Sequence, residues 1–193
     1  DALPIRSAVG ASGLWQFTRE TGRRFMRIDN VVDERRDPFE SSEAAARLLK
    51  YNYSVLGSWP LAITAYNHGV SGMRRAVQTM GTDDVETILR RYDGPAFGFA
   101  SRNFYLSCLA AHDLDAEPER YFGEITRKAS LETVVIQLPE YYRAQSLERA
   151  LGVSRDELQL LNPALLPPVW QGSKYVPRGF RLRVPVIDAD KSP

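Results

Sequence analysis

The chain has 193 residues, which is enough for one good hydrophobic core and a smaller second domain. Its 25 basic and 24 acidic residues give a net charge of +1, without the basic excess that is typical of nucleic-acid-binding proteins. The single cysteine, Cys108, excludes an internal disulfide and a cysteine-rich metal site, and no apolar run approaches the roughly 18 residues that span a bilayer. We expect Cys108 to pack on a helix as a small apolar residue.

The first segments of the chain are predicted to be helical. Residues 14–25 are interpreted as a helix that ends near Gly22, with Trp15 and Phe17 facing inward. The charged stretch 33–38 predicts a loop. Ser41 or Ser42 can then cap a helix over residues 43–56 that stops at Gly57, with an inner face of Ala45, Leu48, Leu49, Tyr53 and Leu56.

Further helices follow along the middle of the chain. Residues 61–67 are apolar nearly all round, which predicts a buried central helix. A second helix carries Met73, Ala76, Val77 and Met80, and a third starts at Thr82 or Asp83 with Val85, Ile88, Leu89 and Tyr92 inward. Gly94 and Pro95 end it, and residues 97–112 form the last long helix, which carries Phe104, Cys108 and Leu109. This pattern predicts an all-helical domain over residues 1–123.

The character of the sequence changes after residue 124. Strand-like runs lie at residues 134–136 and 180–184, with two short helix signals between them. The first helix covers residues 146–151 and ends at Gly152. Ser154 to Glu157 form a capping box that opens the second, over residues 158–161. The predicted order is strand, helix, helix, strand.

Two motifs in the helical part carry candidate functional side chains. Residues 10–17 read Gly-Ala-Ser-Gly-Leu-Trp-Gln-Phe, in which glycines allow tight turns and Gln16 places an amide among apolar residues. A buried amide needs partners, so Gln16 is either a structural bridge or a ligand contact. Residues 65–69, Ala-Tyr-Asn-His-Gly, place a phenol and an amide at the end of the predicted buried helix.

Gly-Leu-Trp-Gln-Phe followed by Ala-Tyr-Asn resembles the soluble lytic transglycosylase family, which has a goose-type lysozyme fold. The resemblance is closest to the membrane-bound type D branch, whose members carry C-terminal LysM modules. It implies a lysozyme-like domain at 1–123, a linker at 124–133, a LysM-like module at 134–186 and a tail at 187–193. Residues 161–165 and 177–185 resemble LysM motifs. Because residues 139–143 replace the usual Gly-Asp-Thr-Leu and the loop 166–176 is long, a working and a degenerate module both remain open.

The resemblance implies an enzyme that cuts the β-1,4 bond between N-acetylmuramic acid and N-acetylglucosamine in peptidoglycan. Family members use one catalytic glutamate and release a 1,6-anhydro product. That glutamate is expected just before Asp1, since the family places it about nine residues before the serine that matches Ser7. No cofactor or metal is expected, the partner is the glycan strand, and a monomer in the periplasm or cell envelope is expected. A non-catalytic peptidoglycan-binding protein and a hydrolysing lysozyme are the alternatives.

The resemblance also assigns roles to residues of this chain. Ser7 and Tyr66 are expected to orient the catalytic glutamate, and Gln16 and Asn67 to bind sugar N-acetyl and hydroxyl groups. Trp15 forms part of the core or floors a sugar subsite, and His68 is a local variation or a substrate contact. Arg102 and Tyr105 are further substrate-binding candidates, although Ala100 replaces the acidic residue of their family motif. His112 is interpreted as a helix-end residue, and Glu20 as part of a solvated helix face.

Overall fold

The structure is a computed structural model that describes residue 7 and residues 10–126 and 132–186. The predicted tail at 187–193 and part of the predicted linker lie outside these residues. The described part is mostly helical, as predicted. Its elements are α1 (Arg19–Arg23), α2 (Pro38–Leu56), α3 (Trp59–His68), α4 (Val70–Met80), α5 (Val85–Arg91), α6 (Phe99–Ala116), α7 (Pro118–Phe122), β1 (Thr133–Gln137), α8 (Ala144–Leu151), α9 (Arg155–Leu161), α10 (Pro167–Trp170) and β2 (Arg181–Pro185).

The chain divides into two compact units. The first unit comprises Asp1–Ala45 and Ala129–Pro193, and the second comprises Ala46–Lys128. The division therefore falls inside α2 and groups the N-terminal segment with the C-terminal elements. It differs from the predicted boundaries at residues 123 and 134, which rest on the sequence motifs alone and remain a prediction.

The first unit is held together by an apolar core to which both of its segments contribute. Val32 is fully buried in this core, together with side chains of the C-terminal elements such as Leu158, Val169, Val176 and Leu182. Backbone pairing joins the two segments at the same place. Asp33 N donates to Ala164 O over 2.8 Å, and Val32 and Leu165 form an antiparallel bridge. The N-terminal segment is thus part of the fold of the C-terminal elements.

The two predicted C-terminal strands are confirmed, and they pair with each other. β1 and β2 are antiparallel, with Val134 opposite Val184 and Ile136 opposite Leu182. The helices between them also occur, and Ser154 accepts a hydrogen bond from Glu157 N as the capping box predicts. The additional helix α10 was not predicted, and it begins with Pro167 and Pro168 at positions where the missing N–H groups cost nothing. Identification of these elements as a LysM module stays a prediction.

The second unit is a helical cluster around α3. Leu61, Ala62 and Ala65 of this helix are almost completely buried, and α3 packs against α4 and α6. Met73 and Ala76 of α4 and Ile88 of α5 complete the core at zero exposure. The predicted buried helix and the inner stripes of its two successors are therefore confirmed.

The predicted helix over residues 14–25 is wrong in its first half. Ser12 and Phe17 form an antiparallel bridge, residues 13–16 turn between them, and α1 starts only at Arg19. Gly13 and Gln16 have φ angles of 79° and 50°, which a right-handed helix cannot accommodate. Leu14 is consequently 74% exposed, whereas Phe17 is buried as predicted.

Several other boundaries also differ from the predictions. Residues 34–36 form a 3-10 turn in place of a loop, and α2 begins at Pro38 because Asp37 caps it by accepting from the N–H groups of Phe39 and Glu40. Asp84 rather than Thr82 or Asp83 caps α5. The last long helix extends to Ala116 and is followed by α7. Cys108 is exposed and does not pack in the core, and Tyr53 is also exposed, stacked on Trp59.

Candidate functional site

The motif at residues 10–17 forms a tight turn whose geometry depends on Gly13. A Cβ atom at this position would lie 1.7 Å from the carbonyl oxygen of Arg35, so no other residue fits without movement of the backbone. Ser12 N donates to Phe17 O over 3.1 Å, and Gln16 N donates to Gly13 O over 3.2 Å. The turn thereby presents Leu14, Trp15 and Gln16 on its outer side.

A buried ion pair between Arg35 and Asp33 stabilises this turn. Nε and Nη2 of Arg35 donate to the two oxygens of the Asp33 carboxylate, over 2.9 and 2.8 Å. Nη1 of Arg35 donates to the carbonyl oxygens of Gly10 and Phe17. Burial raises the pKa of Asp33, but the hydrogen bonds and charge of Arg35 outweigh it and hold that pKa below its usual range. One guanidinium group therefore fixes both ends of the motif.

Three predicted site residues lie on or beside this turn. The Gln16 side chain is exposed, and its Nε2 donates to Gly13 O over 2.7 Å, so the amide is held by the turn itself. Trp15 is half-buried, and its Nε1 donates to Ser42 Oγ over 2.8 Å. Ser7 Oγ accepts a hydrogen bond from Ala11 N over 3.1 Å, which leaves the hydroxyl proton available for donation.

The second motif lies at the C-terminal end of α3, where it meets α6. Tyr66 is half-buried and stacks on Phe104, with ring centroids 5.8 Å apart. Burial raises the pKa of Tyr66, so the phenol remains protonated and can donate a hydrogen bond. Asn67 is exposed, and its Oδ1 accepts from Ser101 Oγ over 2.9 Å.

His68 lies next to this pair and is enclosed by aromatic and backbone atoms. The Phe97 ring contacts it edge-on at 4.8 Å, and its Nε2 would be 2.5 Å from a Cβ atom at Gly72. Burial lowers the pKa of His68, as does the charge of Arg75, against a hydrogen bond with the backbone of Ala96. The imidazole is therefore neutral at pH 7, and its Nδ1 lies 3.5 Å from Ser101 Oγ.

The structure gives Arg102 a role at a helix end. Its guanidinium donates to the carbonyl oxygens of Leu89 and Tyr92 over 2.7 and 2.6 Å, where α5 ends, and covers the Phe97 ring at 5.1 Å. Tyr105 is half-buried on α6. His112 is exposed, with its Nδ1 3.6 Å from the Asp113 carboxylate. Substrate contacts by Arg102 and Tyr105 stay predictions.

The described glutamates include one with an unusual environment. Burial raises the pKa of Glu40 more than the neighbouring Arg181 lowers it, although the two side chains form an ion pair at 3.1 Å. This glutamate lines a pocket of about 120 Å³, below the roughly 300 Å³ at which ligand pockets begin. Glu20 is exposed on α1. We therefore do not assign the acid role to either residue.

The structure thus brings the predicted residues together in two groups. Ser7, Trp15 and Gln16 lie at the first motif, in the first unit, and Tyr66, Asn67 and His68 lie at the second motif, in the second unit. Their convergence on one groove stays a prediction. Sequence reasoning missed the role of Ser101 as the partner of Asn67. The signal was present, because Ser101 directly precedes Arg102, which is one of the predicted substrate-binding candidates.

Amides, hydroxyls and aromatic rings make up most of the side chains at both motifs. Such side chains suit a neutral polar ligand such as a sugar. In the part of the chain that the structure describes, no group of three or more His, Cys, Asp or Glu side chains could hold a metal ion. Within the same residues, no helix has the length and apolar character needed to cross a membrane.

The N-terminal part of the chain is similar to a known protein family. The family model of the Transglycosylase SLT domain matches residues 4–89, a span that contains both motifs and ends within α5. The match supports the lytic transglycosylase family, whose members act on the peptidoglycan of the cell wall. No curated protein matches the chain.

Proposed function

We propose that this chain is the substrate-binding part of a peptidoglycan lytic transglycosylase. The enzyme cleaves the β-1,4 bond between N-acetylmuramic acid and N-acetylglucosamine without water and leaves a 1,6-anhydro end. The observation that carries the proposal is the SLT domain match, because it spans both motifs. The acid/base glutamate lies upstream of Asp1 in this proposal, and the protein acts in the periplasm or cell envelope.

The reaction needs one carboxyl group that acts twice. As the acid, the glutamate donates its proton to the leaving oxygen while the glycosidic bond breaks, and the substrate's N-acetyl group stabilises the cationic centre. The resulting carboxylate then removes the proton from the C6 hydroxyl of the muramyl residue, whose oxygen closes on C1. The proton taken from the C6 hydroxyl replaces the proton that the glutamate gave to the leaving oxygen, so the carboxyl group is restored. No water enters the reaction, whereas glycosidases with two carboxylates consume one.

The proposal gives two described side chains the task of donating a hydrogen bond to this carboxyl group. The Tyr66 phenol stays protonated because of its burial, so it can donate to a carboxylate at the pH of the reaction. The Ser7 hydroxyl retains a proton to donate. Gln16 adopts φ +50°, an uncommon conformation for a non-glycine residue, which supports a functional reason for the turn.

Amides at both motifs support recognition of N-acetylated sugars. Gln16 is held by Gly13 O, and Asn67 is held by Ser101, so both amides are oriented before a ligand arrives. Orientation in advance reduces the entropy that is lost on binding. In this proposal each amide binds an N-acetyl or hydroxyl group of the glycan strand. The C-terminal elements, as a LysM-like module of the type D branch, add contacts to the same strand.

The test is the product of a chain that is extended by its native upstream segment. Incubated with purified peptidoglycan, it should release muropeptides that are lighter by one water than hydrolysed ones, as measured by mass spectrometry. Changing the upstream glutamate to glutamine should reduce the rate by about two to four orders of magnitude. Hydrolysed products would favour a lysozyme, and binding without any cleavage would favour the non-catalytic alternative.

A further inference from the structure

A large cleft lies entirely within the first unit, between the first motif and the C-terminal elements. Its volume is about 1190 Å³, above the roughly 300–1,000 Å³ of typical ligand pockets. One side is formed by the turn of the first motif and the other by α9, α10 and the loop between them. The lining residues that carry the argument are Leu14, Gln16, Gln159, Leu160, Trp170 and Gln171.

The two sides of the cleft are fixed relative to each other. Leu166 N donates to Val31 O over 2.9 Å, next to the bridge between Val32 and Leu165. The indole of Trp170 is also held, since its Nε1 donates to Leu165 O over 3.1 Å. The cleft is therefore present before any ligand binds.

The residues that line the cleft combine apolar side chains with primary amides. Leu14 and Leu160 belong to opposite sides of the cleft and are 74% and 76% exposed, which leaves apolar surface in contact with water. Around them lie the primary amides of Gln16, Gln159 and Gln171. Sugar rings have an apolar face and a polar edge, so leucine and tryptophan surfaces can cover the face while amides bind the N-acetyl and hydroxyl groups.

We propose that this cleft is a glycan subsite, in which α9 and α10 bind N-acetylhexosamine residues of the strand that the first motif contacts. The inference rests on the proposed function and deepens it. Its support is continuity, because Gln16 belongs both to the motif within the SLT match and to the cleft. The C-terminal elements then bind substrate through this shared cleft.

The experiment measures how the 193-residue chain binds a hexamer of β-1,4-linked N-acetylglucosamine, which lacks a stem peptide. Isothermal titration calorimetry gives the Kd for the unchanged chain and for Leu160→Glu, which places a charge at an exposed position and should leave the fold intact. We expect the Kd of this variant to increase about tenfold or more, since an apolar contact with a sugar ring is replaced by a carboxylate that must lose bound water. Gln159→Ala should increase it by a smaller factor.

The matched control is Leu109→Glu, the same change at an exposed leucine on α6 that does not line the cleft. It should bind like the unchanged chain. Unchanged affinity of Leu160→Glu would overturn the subsite, and so would an unchanged chain that fails to bind the hexamer while its extended form still releases anhydro products. If the chain neither binds glycan nor, when extended, cleaves it, the proposed function fails together with the subsite.

Discussion

At the scale of single residues, Gly13 and Tyr66 are required for different reasons. Position 13 needs a glycine because the backbone of Arg35 leaves no room for a Cβ atom. Tyr66 is required, in our proposal, by the chemistry of one hydroxyl group. Sequence reasoning recognised both residues from their motifs. It could not foresee the positive φ of Gln16, because nothing in an amide side chain requires a left-handed backbone.

Gly13→Ala should destabilise the chain more than Gly10→Ala. The φ angles of the two glycines are 79° and 76°, so each change forces an alanine into the left-handed region at a cost of about 1–2 kcal/mol. Among the described residues, a Cβ atom at Gly10 meets nothing within 4 Å, whereas at Gly13 it collides with Arg35 O, which adds about 1–3 kcal/mol or more. Urea unfolding measures the two free energies. Equal values would show that the collision is relieved easily.

Tyr66→Phe in the upstream-extended chain should lower kcat more than it raises KM. If the hydroxyl stabilises the glutamate as its charge develops, its loss costs about 1.5–3 kcal/mol, which is roughly a 10- to 150-fold decrease in kcat. Tyr121→Phe, at an exposed position on α7, is the control. An increase in KM with normal kcat would make Tyr66 a plain substrate contact, and normal kinetics would remove it from the site.

At the scale of elements, a short 3-10 turn and a long helix each hold one of the motifs. The 3-10 turn carries Arg35, which ties Asp33 to both ends of the first motif, and α6 carries Ser101, which holds Asn67 at the end of α3. The predicted helix over residues 14–25 failed at this scale. The apolar spacing of its first residues fits a helix and a tight turn equally well. The backbone that leaves room only for a glycine at position 13 belongs to Arg35, which lies outside this segment.

Asp33→Asn should destabilise the first unit at neutral pH and lose this effect in acid. The folded state lowers the pKa of Asp33 below its ordinary value of 3.8, so its stabilising contribution is complete above that value and is lost as the pH falls through the lowered pKa. Leaving Arg35 buried without its partner costs about 3–5 kcal/mol at pH 7.

Urea unfolding from pH 7 down to about pH 2 tests this expectation, because the difference between the two proteins should narrow in acid. Asp113→Asn, at an exposed position on α6, is the control and should behave like the unchanged chain. A difference that stays constant with pH would show that the Asp33→Asn substitution acts through packing and not through charge.

Ser101→Ala should weaken glycan binding without a large loss of stability. The hydroxyl that orients Asn67 disappears, and the hydrogen bond is worth about 0.5–1.5 kcal/mol. Since Asn67 is exposed, water can replace the lost partner, so the effect should fall on affinity. Calorimetric titration with the N-acetylglucosamine hexamer and a thermal melt measure both quantities. Ser107→Ala on the exposed face of α6 is the control, and equal affinities would separate Ser101 from the site.

At the scale of the whole molecule, local pattern and long-range pairing differ in how well they are predicted. Local signals predicted the helices of the second unit, the capping box at Ser154 and the strands β1 and β2. They could not show that residues 31–33 pair with residues 164–166, because that contact joins segments that are far apart in the chain. The cleft depends on this pairing, so it too was invisible in the sequence.

The central claim is that both motifs contact the glycan strand, and NMR titration of the 193-residue chain tests it directly. The side-chain amide signals of Gln16 and Asn67 should both shift on addition of the N-acetylglucosamine hexamer, with a single common Kd, because one bound strand contacts both. Asn103 on α6, whose amide bonds to Phe99 O, provides an internal reference that should not move. Shifts at only one motif, or two different Kd values, would contradict the account.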